Sequence, residues 1–240
     1  MSLSIIVPVY NEEKYINSTI KNLYKIKKKI KKFEILFIDD FSKDNSYQVI
    51  SKISKKIKNI KLIKNKKKGL GSAIEQGIVK SKNKYICIFM CDSSDSIKNL
   101  IEYYKLISKY DLDAVLGTRF SKYSKVYDYP TIKYILNRVF NYTVKILFFS
   151  NYNDFTNAFK MYKKQTLRKL MPIVSENFNV FLELPLKIIS RKFKYKIIPI
   201  DWKNRSKGES KFKIRELGSM YIFTLLYCLI ERVLIRKRNI

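Results

Sequence analysis

The first 120 residues alternate short, continuous apolar runs with longer lysine-rich stretches whose apolar residues recur at helical spacing. A continuous apolar strand must be covered on both faces, and a parallel sheet flanked by helices is the architecture that does this. Ser4 to Val9, Glu34 to Ile38, Ile60 to Ile63, Tyr85 to Met90 and Ala114 to Leu116 read as strands. Glu12 to Ile26, Asp44 to Ile57, Gly71 to Ser81 and Ile97 to Tyr110 read as the helices between them. The expected fold class is α/β: a doubly wound, mostly parallel sheet with helices on both faces. The second half is less regular. Tyr134 to Phe149 is amphipathic and aromatic-rich, Phe155 to Tyr162 and Tyr195 to Ile200 read as strands, and Phe178 to Ser190 reads as a helix interrupted near Pro185.

In open α/β sheets, ligands bind beyond the carboxyl ends of the strands, and here those positions are polar and acidic. Asp92 and Asp95 follow one strand; paired carboxylates there suit Mg²⁺ or Mn²⁺ bridging a diphosphate, or a turn that N-caps the helix near Ile97. Asp39 and Asp40 follow another, placed to hydrogen-bond a base or ribose, with Ser42 or Asp44 capping the next helix. Gly69 to Ala73 opens a helix whose free N–H groups could meet phosphate, with Gly71 at its first turn. Neither a P-loop nor a dinucleotide fingerprint is present in its standard form. Arg205, Lys207, Lys211 and Lys213 surround Gly208 in a segment without apolar pattern, either a basic loop that closes over phosphates or a solvated turn.

Composition removes whole classes of chemistry. With no histidine among 240 residues, Ser-His and Cys-His catalysis and histidine metal sites are excluded, and proton transfer falls to carboxylates. Cys87, Cys91 and Cys228 are too few and too far apart for a zinc cage or disulfide framework, so a reducing, cytoplasmic setting is expected. A formal net charge of +30 points to phosphate, nucleic acid or an acidic membrane surface, although a bias toward Lys, Ile, Asn, Tyr and Phe accounts for many solvated lysines by itself. The N-terminus lacks the basic and apolar regions of a signal peptide.

Together, seven stretches resemble family 2 glycosyltransferases with the GT-A fold, in the branch similar to dolichol-phosphate mannosyltransferase and other polyprenyl-phosphate glycosyltransferases. They are SIIVPVYNEEK from Ser4, ILFIDDFSKDNS from Ile35, KGLGSAIEQG from Lys68, CDSSDS from Cys91, GTRF from Gly117, NDFTNAFKMYKK from Asn153 and PIDWKNRSKGESKF from Pro199. The resemblance implies that Pro8, Tyr10, Glu12, Asp39 and Asp40 surround the donor nucleoside and that Asp92 and Asp95 hold the metal. It implies that Arg119, Arg205 and Lys211 lie near the phosphates, and that Asp154 lies near the transferred sugar as a proposed base. The sequence departs from the family twice. The usual Asp-x-Asp is Asp-Ser-Ser-Asp, and Lys133 and Asn137 replace an arginine and a serine that bind acceptor phosphate in the branch.

The resulting expectation is a catalytic domain over residues 1–212, with a donor half (1–120) and an acceptor half (121–212), then a C-terminal amphipathic, membrane-interfacial helix over 213–240. The apolar stretch Leu217 to Ile230 is too short to span a bilayer, and its basic end suits anionic headgroups. The expected activity is inverting transfer from a UDP- or GDP-sugar to a polyprenyl or dolichyl phosphate, on the cytoplasmic face of the membrane; homo-oligomerisation is left open. Transfer to a hydroxyl of a surface polysaccharide or glycolipid is the alternative, and an inactive scaffold is another, motivated by the altered acidic motif. A nucleic-acid-binding domain explains the charge but not acidic residues at several strand ends, which repel phosphate.

Overall fold

The computed structural model describes residues 2–92, 94–204 and 214–238. Its first half is a run of βα units: β1 (Leu3–Val9), α1 (Glu13–Tyr24), β2 (Phe33–Asp39), α2 (Ser46–Lys56), β3 (Ile60–Lys64), α3 (Leu70–Lys80), β4 (Tyr85–Ile88), α4 (Ile97–Lys109) and β5 (Ala114–Thr118). The second half carries β6 (Val126–Tyr127), α5 (Thr131–Leu147), β7 (Lys160–Lys163), α6 (Lys164–Lys169) and α7 (Val180–Ser190). It ends with β8 (Tyr195–Pro199), β9 (Trp202–Lys203) and α8 (Ile214–Arg238).

Seven strands form one sheet in the order β3-β2-β1-β4-β7-β5-β8, and β6 pairs with β9 in a small parallel ribbon. All pairings in the main sheet are parallel except those of β7, which runs antiparallel between β4 and β5. The expected mostly parallel, doubly wound sheet is therefore present. Alternation along each strand feeds two cores. Ile5, Val7, Ile35, Phe37 and Cys87 meet Ile16, Leu23, Ile50, Leu100 and Tyr103 of α1, α2 and α4 on one face. Ile6, Leu36, Ile38, Ile86 and Ile88 meet Ile74 of α3, Leu184 of α7 and Leu225 of α8 on the other.

Three expectations need correction. The strand expected over Phe155 to Tyr162 is confined to Lys160–Lys163. Residues 155–159 form a loop instead, because the Asn157 amide and the Lys160 ammonium bond its backbone groups in place of a neighbouring strand. Helix α7 runs unbroken through Pro185. The proline frees the Phe181 carbonyl from its helical partner, and the Lys160 ammonium takes that carbonyl at 3.3 Å.

Helix α8 is longer than its apolar core predicts, 25 residues, and over Gly218–Ile235 it is long and apolar enough by composition to cross a membrane. Glu231, which looks in the sequence like the end of the apolar stretch, is neutralised by Arg191, whose Nε donates to it at 2.9 Å. Nor is α8 amphipathic over its described side chains. Tyr221, Leu225 and Cys228 are buried against the domain, while Ile222, Phe223, Leu226 and Ile230 are apolar and exposed.

Candidate active site

The carboxyl ends of β1 and β2 meet at the nucleoside side of the expected site. Pro8 lies opposite Ile38 in the register, so the loop after Val9 leaves the sheet beside Asp39 and Asp40. Asn11 turns that loop in the left-handed conformation (φ 52°), which asparagine tolerates better than most residues. Ser42 accepts its N–H and Ser46 accepts that of buried Glu12. Asp44 accepts the N–H groups of Glu13 and Ser46, tying α1 to α2. Tyr10 stands beside Lys68, 5.7 Å from ammonium to ring centre.

The two adjacent aspartates divide. Asp40 Oδ1 accepts Nδ2–H of Asn65 and the N–H of Gly69, both at 2.8 Å, so it holds the β3–α3 loop. Asp39 is as buried, yet its Oδ1 has no hydrogen-bond partner among the described residues. A buried carboxylate oxygen without a partner costs free energy until a ligand donates to it.

Gly71, expected from the sequence to offer a free N–H to phosphate, has that N–H engaged. Its N–H donates to the Glu176 carbonyl at 2.9 Å, and an added Cβ would run into the Ser175 carbonyl oxygen. The glycine is there so that the segment before α7 can lie directly on the start of α3.

Beyond β4 a cavity of about 450 Å³ is lined at one end by Asp92, Ser94, Asp95, Arg119 and Lys133 and at the other by Leu136, Phe140, Phe178, Phe181 and Tyr221. The N-cap residue of α4, Ser96, makes no side-chain capping bond. Asp95 Oδ2 accepts the Met90 N–H at 3.0 Å, and Asp92 Oδ1 accepts the hydroxyl of Ser94 at 2.6 Å. Burial pushes the Asp95 carboxyl up to about 8; the Met90 N–H opposes that shift and the Asp92 charge adds to it. Two carboxylates that disfavour joint ionisation are the donor set a divalent cation relieves. No cluster of three or more Asp, Glu, His or Cys suited to a metal occurs among the described residues.

Arg119, at the end of β5, and Asp154 form a buried ion pair. Asp154 is 0% exposed and accepts three hydrogen bonds from Arg119: from Nε at 2.9 Å, from Nη2 at 2.7 Å and from the backbone N–H at 2.8 Å. Burial pulls the Arg119 pKa down, but Asp154 reverses this and holds the guanidinium charged. The Asp154 carboxylate is thus gripped at both oxygens by the guanidinium.

Lys133 and Asn137 both line the cavity, and the Asn137 amide donates to the Thr156 hydroxyl at 2.7 Å. Arg205 and Lys211 lie outside the described residues. Sequence reasoning missed Tyr129 and Trp202, whose rings stand 5.8 and 5.5 Å from the Arg119 guanidinium. Pairing of β6 with β9 brings these distant residues together, and neither strand has enough residues to leave a pattern.

Residues 4–171 match the family model for glycosyl transferase family 2. The chain belongs to that family. It is 32% identical over 184 residues to a dolichyl-phosphate beta-glucosyltransferase of Dictyostelium discoideum, covering 71% of this chain and 56% of that protein. It is 25% identical over 236 residues to the dolichol-phosphate mannosyltransferase of Saccharomyces cerevisiae, covering 92% and 87% of the two chains. The family 2 chain thus spans little more than half the length of the first relative and most of the second. Its GT-A fold is shared with glucosyl-3-phosphoglycerate synthase of Mycobacterium tuberculosis, solved with Mn²⁺, UDP and glucosyl-3-phosphoglycerate. That match has a TM-score of 0.71 and 15% identity, and covers 95% of this chain and 80% of the other. The same enzyme has also been solved with Mg²⁺ and UDP.

Proposed function

We propose that this chain transfers a sugar, with inversion, from a UDP- or GDP-sugar to a polyprenyl or dolichyl phosphate at the cytoplasmic face of a membrane. The observation that carries the reading is the cavity, charged at the Asp92–Asp95–Arg119–Lys133 end and apolar along Leu136, Phe140, Phe181 and Tyr221. Such a space fits an amphiphile whose anionic head enters first. The occupied state of Asp154 supports the same acceptor, because a phosphate monoester is ionised near neutral pH and requires no base, whereas a hydroxyl does.

Asp39, with its unpartnered oxygen, receives the nucleoside beside Pro8, Tyr10 and Glu12. Asp92 and Asp95 hold Mg²⁺ or Mn²⁺. The ion, when bound, neutralises the departing nucleoside diphosphate. Arg119 and Lys133 orient acceptor phosphate for attack on the face opposite the leaving group. The test presents each nucleotide sugar with a polyprenyl phosphate and with the corresponding alcohol. Transfer to the phosphate alone is expected; equal transfer to the alcohol would overturn the acceptor assignment in favour of a glycan or glycolipid hydroxyl.

Helices α5 and α8 support the membrane placement. They meet at Phe140 and Tyr221, with rings 5.6 Å apart, and at Arg232, whose Nη1 donates to the Leu147 carbonyl at 3.4 Å. Their outward residues include Ile132, Ile135, Val139 and Phe149 of the α5 region and Phe223, Leu226 and Ile230 of α8, all more than half exposed. An apolar surface of this extent marks a protein or membrane contact. Joint substitution of Val139 and Phe223 by glutamate is expected to weaken sedimentation with anionic liposomes by at least about 100-fold, from roughly 1.5–3 kcal/mol for each buried side chain, while leaving the melting temperature unchanged. Undiminished liposome binding would remove this face from the membrane.

A further inference from the structure

Lys160 opens β7 and lies opposite Ile88 of β4 and Leu116 of β5, at the carboxyl ends from which the acidic loop and Arg119 depart. It is 1% exposed. Its ammonium donates to three backbone carbonyls, those of Phe155 (3.0 Å), Asn157 and Phe181 (3.3 Å), and no carboxylate of the described residues pairs with it. Burial pulls its pKa down to about 7; the Asp154 charge resists that fall, Arg119 assists it and Asp95 resists it.

We propose that Lys160 is a positioning residue for the transfer reaction, the buried cation that fixes the 153–158 segment and, through it, the Arg119–Asp154 pair and one wall of the reaction cavity. The inference rests on the transferase reading given above. Each acceptor has a consequence. The Phe155 and Asn157 carbonyls belong to the segment that carries Asp154. The Asn157 amide also donates to the Gly117 carbonyl at 3.0 Å, two residues before Arg119. The Thr156 hydroxyl accepts from the amides of Asn137 and Asn141 of α5 at 2.7 and 3.2 Å. Phe181 lies across the cavity wall on α7.

One ammonium therefore ties together the β5 end, the Asp154 loop, α5 and α7. A plain structural role, filling the carbonyl freed by Pro185, accounts for one of its three bonds but not for the two made to the Asp154 segment. Keeping an amine in this place against a large desolvation cost is the signature of a group retained for what it orders.

The full chain carrying Lys160→Met removes the charge at nearly constant length. Trp202, the single tryptophan, stands beside the Arg119 guanidinium and reports its environment without reference to activity. The variant is expected to keep its far-ultraviolet circular dichroism and its stabilisation by UDP with Mn²⁺, yet to show altered Trp202 emission and acrylamide quenching. Its kcat is expected to fall about 100-fold, the scale of a misplaced catalytic group, with the donor KM within about threefold and the acceptor KM raised. Lys160→Arg should recover part of kcat and the Trp202 signal.

A folded Lys160→Met with an unchanged Trp202 signal would overturn the proposal, as would unchanged kcat. Should that variant fail to fold, Lys160→Gln, which keeps N–H donors without the charge, is read by the same measures. If the wild-type chain transfers no sugar at all, the transferase reading fails, while the Trp202 comparison still decides whether Lys160 orders the pair.

Discussion

Asp154→Ala is expected to abolish transfer and to destabilise the domain by about 3–5 kcal/mol, the usual cost of stripping one partner from a buried ion pair. The guanidinium of Arg119 would stay in place at 7% exposure with no counter-charge, ringed by Phe120, Tyr129 and Trp202. Asp154→Asn should do nearly as much harm, because its amide would offer N–H groups to a side chain that already only donates. Urea unfolding gives the measurement: the midpoint falls while the slope is retained.

This pattern separates pair-holding from general-base action. A base replaced by its amide leaves a stable protein that fails only with acceptors needing deprotonation. A pair-holder replaced by its amide leaves an unstable protein that fails with every acceptor. The double substitution Arg119→Met with Asp154→Leu should restore much of the stability and none of the activity, since well-packed apolar pairs often replace buried ion pairs at little cost. If both single variants melt with the wild type, the pair is not holding the site.

The first half of the fold is legible because burial on both faces of a parallel strand writes itself into the sequence as an unbroken apolar run. Leu3–Val9 and Phe33–Asp39 show this, each buried along its whole length. The extent of β7 is hard to read from sequence because Phe155 and Phe159 are fully buried, like strand residues, while the Phe155 carbonyl is satisfied by the Lys160 side chain instead of a neighbouring strand. Pro185 misled for a related reason: its effect on the helix is cancelled by Lys160, which is 25 residues away in sequence and adjacent in space.

Within the site, residue types that ligate were visible but their partners were not. Asp39 and Asp40 are adjacent and alike in sequence, and the Asn65 and Gly69 contacts show that Asp40 is engaged while Asp39 Oδ1 has no partner among the described residues. Nothing in the neighbourhood of Asp154 along the chain announces its ion pair with Arg119. Gly71 looked like part of a phosphate loop because the Ser175–Glu176 backbone that fills the space comes a hundred residues later.

Asp95→Asn is expected to raise the melting temperature of the metal-free protein at pH 8 and to remove its stabilisation by Mn²⁺. The folded carboxyl titrates at about 8, pushed up by burial and by Asp92, against about 4 in an unfolded chain. Between those values the native state holds a proton that the unfolded state releases, so metal-free stability falls as pH rises from 4 to 8. The amide cannot ionise, so the variant should lose that slope and match the wild type only below about pH 4. The wild type should lose that fall once Mn²⁺ and UDP are present, because the ion binds the carboxylate and competes with the proton. Its metal-induced rise in melting temperature grows from pH 6 to pH 8 and one proton leaves on binding. Calorimetry with and without Mn²⁺ at pH 5, 6.5 and 8 reads both effects, and transfer by the variant should drop by at least about 1000-fold if the ion holds the leaving diphosphate. A variant that still gains stability from Mn²⁺ would show that the wider Asp-Ser-Ser-Asp spacing places Asp95 outside the coordination sphere, leaving Asp92 with water and donor phosphates as the ligands.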